Sequence, residues 1–107
     1  MRKLKTLEEL PESIDVRVLR NRKTGIWIGE IKNLDVFTEA DNLMQLIYNI
    51  NDLIYAFFDI PKEEQHNVWY MPPYYQSIIT QQPKIQLDKL MKFNILISPQ
   101  LHHKYFN

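Results

Sequence analysis

One stretch with helical periodicity, residues 41–59, limits most strongly what this chain can fold into. Its apolar residues recur at spacings of three and four, which places them on one face of an α-helix. These residues are Leu43, Leu46, Ile47, Ile50, Leu53, Ile54 and Phe57. Asp41 or Asn42 can cap the start, and Pro61 ends the run because proline cannot continue the helical hydrogen-bond ladder. The sequence therefore predicts one long amphipathic helix.

A second, thinner apolar stripe runs along the same helix. Its members are Met44, Tyr48, Tyr55 and Phe58. A helix on one face of an open sheet needs only one stripe, so we expect another segment to lie over its outer side. The aromatic run at residues 68–75 is the segment we expect there, because its rings bury large apolar areas.

Three segments before the helix have the patterns of β-strands. Residues 13–20 alternate apolar and polar side chains, residues 26–31 are β-branched and aromatic, and residues 36–38 form a short third strand. Gly25 ends the first loop and can adopt the positive φ that a short hairpin needs. Gly29 indicates either a bulge or a close approach of the helix to the sheet. The order β-β-β-α predicts an α+β domain.

The second half of the chain has weaker patterns. Residues 93–98 form its best strand, which we expect to join the sheet as a fourth strand, and residues 85–91 have apolar side chains at the spacing of a short helix. We therefore expect a single α+β domain over residues 1–107, with an antiparallel three- to four-stranded sheet and one main helix packed on one face. Residues 13–60 are its β-β-β-α core, and residues 61–107 are an extension that packs on the helix.

Composition excludes several classes of function. Thirteen basic and thirteen acidic residues give zero net charge, which disfavours nucleic-acid binding by this chain alone. The absence of cysteine excludes disulfides and thiolate zinc sites. No apolar run approaches the ~18 residues of a membrane span, and no signal-peptide pattern is present. We expect a cytoplasmic protein with no membrane contact.

Basic residues are concentrated at the first hairpin, where Arg17, Arg20, Arg22 and Lys23 lie close together. Solvation of an exposed hairpin accounts for such a cluster. The alternative is a local contact site for an anionic surface. On that alternative we expect Arg17, Arg20 and Lys23 to contact a partner.

No catalytic constellation is visible in the sequence. The carboxylates of Glu30, Asp35, Glu39 and Asp41 cluster near the start of the helix, and paired acids can hold Mg²⁺ in a nuclease. Ordinary structural roles account for three of them, because Asp35 suits a turn and Glu39 and Asp41 suit a helix N-terminus. We therefore expect no catalytic residues, no metal site and no cofactor.

The hairpin, the third strand and the start of the helix resemble a known family. The segment 25–30, Leu34 and the segment 37–43 are similar to the HicB-like antitoxin superfamily, closest to its branch of small bacterial proteins of unknown function. The resemblance covers roughly residues 13–60. Residues 32–36 form a turn that lacks the family's usual proline and glycine.

The resemblance implies a truncated ribonuclease-H-like β-β-β-α-β fold without the nuclease's acids. It also implies a protein that binds and occludes a small RNA-cleaving toxin. We therefore expect a non-enzymatic protein-interaction module with an antitoxin-like role, which also forms a homo-oligomer through exposed sheet edges. Two alternatives stay open: a degenerate metal-dependent nuclease or hydrolase that uses Glu30, Asp35 and Asp41, and a domain that binds a small ligand between helix and extension.

Overall fold

The computed structural model describes residues 9–72 and 87–97 and has an α+β fold. Five antiparallel strands form one curled sheet, and one main helix packs against it. A short 3-10 helix, Lys62–Asn67, follows the main helix. The other elements are β1 (Ser13–Arg20), β2 (Trp27–Ile31), β3 (Val36–Ala40), α1 (Leu43–Phe57), β4 (Val68–Met71) and β5 (Leu87–Ile97).

The spatial order of the strands is β3-β2-β1-β5-β4, so β1 lies in the middle of the sheet and β3 and β4 form its edges. The predicted α+β class is confirmed, but the sheet has five strands rather than three or four. The additional strand is β4, which lies within the aromatic run that we expected to cross over the helix. The rest of the predicted extension, residues 73–86 and 98–107, lies outside the described residues.

Strand β5 contradicts one prediction and extends another. It includes residues 93–97 of the predicted fourth strand, but it begins at Leu87, where helical spacing predicts a helix. The pairing with β5 covers the whole length of β1, from Arg20 opposite Leu87 to Ser13 opposite Asn94. Such long-range pairing overrides a local spacing of three and four residues, because a short apolar run fits either period.

One face of the sheet, here called the inner face, packs against α1 and forms the core. The predicted apolar stripe of the helix faces it, with Leu53 and Phe57 only partly buried. Asn42 caps the helix by accepting a hydrogen bond from the Gln45 amide, 2.8 Å between Oδ1 and N. The buried apolar residues of the inner face are Ile14, Val16, Val18, Ile31, Val68, Tyr70, Met91 and Phe93.

Side chains of α1 form hydrogen bonds with the backbone groups of β4 that point away from β5. The fully buried Asn51 accepts from Tyr70 N at 2.7 Å and donates to Tyr70 O at 3.0 Å. It also donates to Ile47 O at 2.9 Å. The Tyr55 hydroxyl donates to Val68 O, and Val68 N donates to Gln65 O at the end of the 3-10 helix. All four backbone groups that Val68 and Tyr70 turn away from β5 are therefore bonded, so the helix replaces a sixth strand along this edge.

Burial keeps both tyrosines of this region protonated. It raises the pKa of Tyr55 to about 12, with a smaller effect from the nearby Asp52 charge, and it also raises the pKa of Tyr70. The Tyr70 hydroxyl donates to Pro11 O at 2.6 Å. Each hydroxyl thus remains a hydrogen-bond donor to a backbone carbonyl throughout the neutral pH range.

The second apolar stripe of α1 meets β4 in part. Tyr48 packs edge-to-face on Trp69, with 5.0 Å between ring centroids. Phe58 is buried, whereas Met44 and Tyr48 stay more than a third exposed. The ring that covers the helix therefore comes from an edge strand of the same sheet.

Three described residues outside the helices and strands, Gly25, Asp35 and Asp59, adopt left-handed backbone. Gly25 has φ 76° in the β1–β2 loop, as its sequence position predicts, and Asn21 Oδ1 accepts from the Lys23 and Thr24 amides there. Asp35 has φ 54° in the β2–β3 turn. A short polar side chain tolerates this conformation, so Asp35 takes the place that glycine occupies in many turns.

Gly29 marks a close approach of the helix rather than a bulge. A Cβ atom at this position would lie 2.8 Å from Ile50 Cδ1 and 3.3 Å from Leu46 Cδ1. Both atoms belong to the buried stripe of α1. The missing side chain lets the helix lie directly on β2.

The described chain contains no helix with the length and hydrophobicity of a membrane span.

We predict that Asn51→Leu lowers the free energy of unfolding by about 2–4 kcal/mol, because it leaves two buried backbone groups of Tyr70 without partners. Urea unfolding measures the loss. Asn49→Leu is the control: it removes two exposed hydrogen bonds, to Glu39 O and from Gln45 Nε2, of a less buried asparagine and should cost about 1 kcal/mol. Equal losses in the two variants would contradict the role given to Asn51.

We predict that Gly29→Ala costs about 1–3 kcal/mol, because the added methyl overpacks the contact with Ile50. Ile50→Val removes the atom it would meet, so the double variant should be more stable than the sum of the single losses implies. Thermal or urea unfolding of the four proteins measures this coupling. Strict additivity would show that the methyl is accommodated elsewhere.

Candidate functional site

The face of the sheet opposite α1, here called the outer face, is the main candidate binding surface that we consider. Side chains alternate between the two faces of a strand, so the register assigns one set to this face. The set is Ser13, Asp15, Arg17 and Leu19 on β1, Ile28 and Glu30 on β2, Phe37 and Glu39 on β3, Met71 on β4, and Asp88, Leu90, Lys92, Asn94 and Leu96 on β5. Trp69 shares this register, but its ring contacts Tyr48 of α1 and is therefore not counted with the outer face.

Large apolar side chains on this face are exposed to solvent. Phe37 is 66% exposed, Leu90 60% and Leu96 57%. Leu19 and Ile28 lie opposite each other on neighbouring strands and are half-buried. Isolated exposed apolar residues are ordinary, but several on one sheet face form the kind of surface that binds another protein.

Acidic side chains outnumber basic ones on the outer face. The four acidic residues are Asp15, Glu30, Glu39 and Asp88, and the three basic residues are Arg17, Lys92 and Lys32, which follows β2 and contacts Glu30. The net balance is negative, although the whole chain is neutral. This small acidic excess favours a basic protein surface over the phosphates of a nucleic acid.

Arg17 and Asp88 form a bidentate ion pair across β1 and β5. Arg17 Nε donates to Asp88 Oδ1 at 3.0 Å, and Nη2 donates to Oδ2 at 2.8 Å. These hydrogen bonds hold the pKa of Asp88 below its ordinary value and raise the pKa of Arg17, with the opposite charge adding to both effects. Both side chains are about half exposed, so solvent screens the attraction between them.

The three predicted contact residues do not lie together. Arg17 is on the outer face, whereas Arg20 is three residues further along β1 and lies on the opposite face. Arg20 stacks over the Trp27 ring, with 5.5 Å from its Cζ to the ring centroid. Lys23 is exposed in the loop beyond the strand. Their role in partner binding stays a prediction, and only Arg17 belongs to the apolar and acidic face.

The carboxylates considered for a nuclease occupy three separate places. Glu30 lies 3.6 Å from Lys32 Nζ on the outer face. Asp35 is in the β2–β3 turn, and Asp41 lies just before α1. Within residues 9–72 and 87–97, no group of three or more His, Cys, Asp or Glu side chains is placed to hold a metal ion.

An open cleft of about 310 Å³ lies between the end of β3 and the first half of α1. Its lining consists of Ile26, Glu39, Ala40, Asp41, Gln45 and Asn49. The small-ligand alternative placed a site between the helix and the C-terminal extension, whereas this cleft lies at the opposite edge of the sheet from β4. Two of these residues are acidic, and the register directs the side chain of one of them, Glu39, to the outer face.

The apolar residues of β5 alternate in a way that indicates the outer face. We missed this pattern because residues 85–91 were predicted to be helical. Leu90 and Leu96 are both even-numbered residues of β5 and therefore share one face with each other. The inward residues Met91 and Phe93 lie on the alternate face. A strand with apolar residues on both faces indicates a second apolar surface in addition to the core.

Comparisons with known proteins give no independent assignment. No family model matches the chain, and the searches of curated proteins and of solved structures found no match either. The HicB-like resemblance therefore stays a prediction.

We predict that an NMR titration of the Asp88 carboxyl gives a pKa below 3.8, its ordinary value, and that Arg17→Met returns the pKa towards that value. Because the folded pKa is lowered, the pair stabilises the fold above pH 3.8 and this contribution is lost as the pH falls through the folded pKa. The effect on unfolding is small because the pair is exposed. An unchanged pKa in Arg17→Met would contradict the assignment.

Proposed function

We propose that this chain is a non-enzymatic protein-binding domain with an antitoxin-like role, which uses the outer face of its sheet to cover a small ribonuclease toxin. The observation that carries the proposal is the composition of that face. It combines exposed apolar side chains with an excess of acidic ones. The inner face is already occupied by α1.

The apolar residues supply the binding energy in this proposal. Protein interfaces derive most of their affinity from a few buried apolar or aromatic anchors surrounded by polar groups. Phe37, Leu90 and Leu96 are exposed anchors of this kind. Arg17 and Asp88, already paired with each other, lie beside Leu90 and can remain hydrogen-bonded in a complex.

The charge of the face favours a ribonuclease among possible protein partners. An enzyme that cleaves RNA must attract phosphates, so its active-site surface is basic. An acidic face complements that surface, which raises the association rate and keeps RNA out while the partner is bound. The resemblance of residues 13–60 to HicB-like antitoxins supports the same kind of partner.

Self-association through sheet edges has a weaker basis than the sequence suggested. Asn51 and Tyr55 bond the outward backbone groups of β4, whereas on β3 Asn49 Nδ2 bonds Glu39 O alone, at 3.0 Å. Edges whose backbone groups are bonded pair less readily with another copy, and this applies to the β4 edge. Homo-oligomer formation stays a prediction. In this proposal the main interface is the one between the outer face and the toxin.

The test is capture of a partner by the tagged full chain from its own host, followed by a ribonuclease assay. We expect a small basic protein in stoichiometric amount, whose RNA cleavage the wild-type chain inhibits. Leu90→Asp with Leu96→Asp should weaken binding by at least about tenfold, because each buries a charge at an apolar contact.

Met44→Asp is the matched control, since Met44 is an exposed apolar residue on α1 rather than on the outer face. It should leave inhibition unchanged, with the fold of each variant checked by its unfolding transition. Equal effects of the helix and outer-face variants would contradict the proposed interface. A captured protein without ribonuclease activity, or no captured protein, would contradict the antitoxin-like role.

A further inference from the structure

The edge of β3 differs from the edge of β4 because part of its backbone is free. Lys32 N donates to Asp15 O at 3.1 Å. The alternate residues Glu30 and Ile28 therefore also direct their backbone groups to β1, and the residues between them direct theirs to β3. Hydrogen-bonded pairs alternate along an antiparallel ladder, so the backbone groups of Phe37 and Glu39 point away from β2. Asn49 bonds one of them, Glu39 O.

Three backbone groups on this edge thus remain available: Phe37 N–H, Phe37 C=O and Glu39 N–H. No hydrogen bond to them is found within residues 9–72 and 87–97. An edge with free donors and acceptors in register can take up an added strand.

The surroundings of the edge are acidic. Asp35 precedes β3, Glu39 lies within it and Asp41 follows it. Glu39 and Asp41 also line the cleft beside α1, together with the side-chain amides of Gln45 and Asn49. An added strand would run past Glu39, whose side chain the register directs to the outer face, so a positively charged side chain opposite Glu39 is favoured.

A second copy of this chain fits the edge poorly. Antiparallel pairing centred on Phe37 would place Asp35 opposite Glu39 of the second copy, twice, and like charges directly opposite each other are destabilising. Pairing centred on Thr38 would direct the Phe37 amide to Glu39 O, which Asn49 already binds. The edge therefore favours a segment of different, basic composition.

We propose that the free edge of β3 binds an extended basic segment of the partner protein as a sixth strand, with a lysine or arginine side chain beside Glu39 and Asp41. The inference rests on the proposed function, because the segment belongs to that partner. An apolar side chain of the segment would lie beside the exposed ring of Phe37 on the outer face. The edge site and the outer face would then form one continuous interface.

The first test uses a defined probe rather than the partner. The ¹⁵N-labelled full chain is titrated with a capped peptide of about eight residues in which lysine alternates with valine. We expect shift changes at residues 35–41 and at the Asn49 side chain, with slower exchange of the Phe37 and Glu39 amides. The matched peptide with glutamate in place of lysine should cause none of these changes. Shift changes centred elsewhere, no shift changes, or equal binding of the two peptides would overturn the proposal.

Variants separate backbone pairing from side-chain contact. Phe37→Pro removes an edge N–H that the sheet does not use, and proline is tolerated on such an edge, whereas Phe37→Ala removes only the ring. Peptide binding should be weaker in Phe37→Pro than in Phe37→Ala. Glu39→Gln with Asp41→Asn should weaken binding by at least about tenfold, and Asp52→Asn, on an exposed position of α1, should have no effect. Equal binding of the proline and alanine variants would overturn strand addition.

The two proposals fail in different ways. If Leu90→Asp with Leu96→Asp abolishes toxin inhibition while Phe37→Pro and Glu39→Gln with Asp41→Asn leave it intact, the antitoxin-like role stands and the edge site is overturned. If the peptide binds as expected but the chain captures no ribonuclease, the edge binds a basic strand and the antitoxin-like role is overturned.

Discussion

The hydrogen bonds between Asn51 and Tyr70 are the interaction on which the rest of this structure depends. A fully buried amide must be hydrogen-bonded to be tolerated in a core, and Asn51 achieves this by bonding both backbone groups of one edge residue. An apolar core alone would allow α1 to slide or rotate on the inner face. These directional bonds fix its position against β4, and Tyr55 adds a second point of attachment one turn later.

The helix also reaches the other edge of the sheet, because Asn49 bonds Glu39 O on β3. A single helix thus contacts both edges of a five-stranded sheet, which is possible because the sheet curls around it. Gly29 permits the closest contact, since any side chain there would meet Ile50. The two edges differ in consequence: Val68 and Tyr70 on β4 have their outward backbone groups bonded, whereas three such groups on β3 have no partner within residues 9–72 and 87–97.

In the proposed function, this arrangement determines where the partner binds. The inner face is filled by the helix, so among the described residues the outer face and the free part of the β3 edge are the sheet surfaces left open. They share Phe37 and Glu39, one apolar and one acidic. A partner that contacts both needs apolar groups and positive charge, which is why one basic protein suits the two surfaces better than a nucleic acid or a second copy of the chain.

Local patterns predicted much of this fold. The helix, its cap at Asn42, the first three strands and the left-handed conformation of Gly25 follow from periodicity and turn chemistry within short segments. The predicted helix at residues 85–91 was wrong because Leu87, Leu90 and Met91 satisfy the helical spacing, while pairing with β1 makes the segment a strand. Of the predicted contact residues, Arg17 and Arg20 lie on opposite faces because they are three positions apart on one strand.

The sequence by itself determined the class of fold and the elements before Pro61, because hydrophobic period and turn residues act over a few neighbours. Only the tertiary structure decided the strand order, the composition of the outer face and the difference between the two edges. The reason is that these features join residues far apart in the chain: Asn51 with Tyr70, and β1 with β5. No local pattern marks Asn51 as different from Asn49, since each is a polar residue within an amphipathic helix, and their roles follow from which strand edge each one meets.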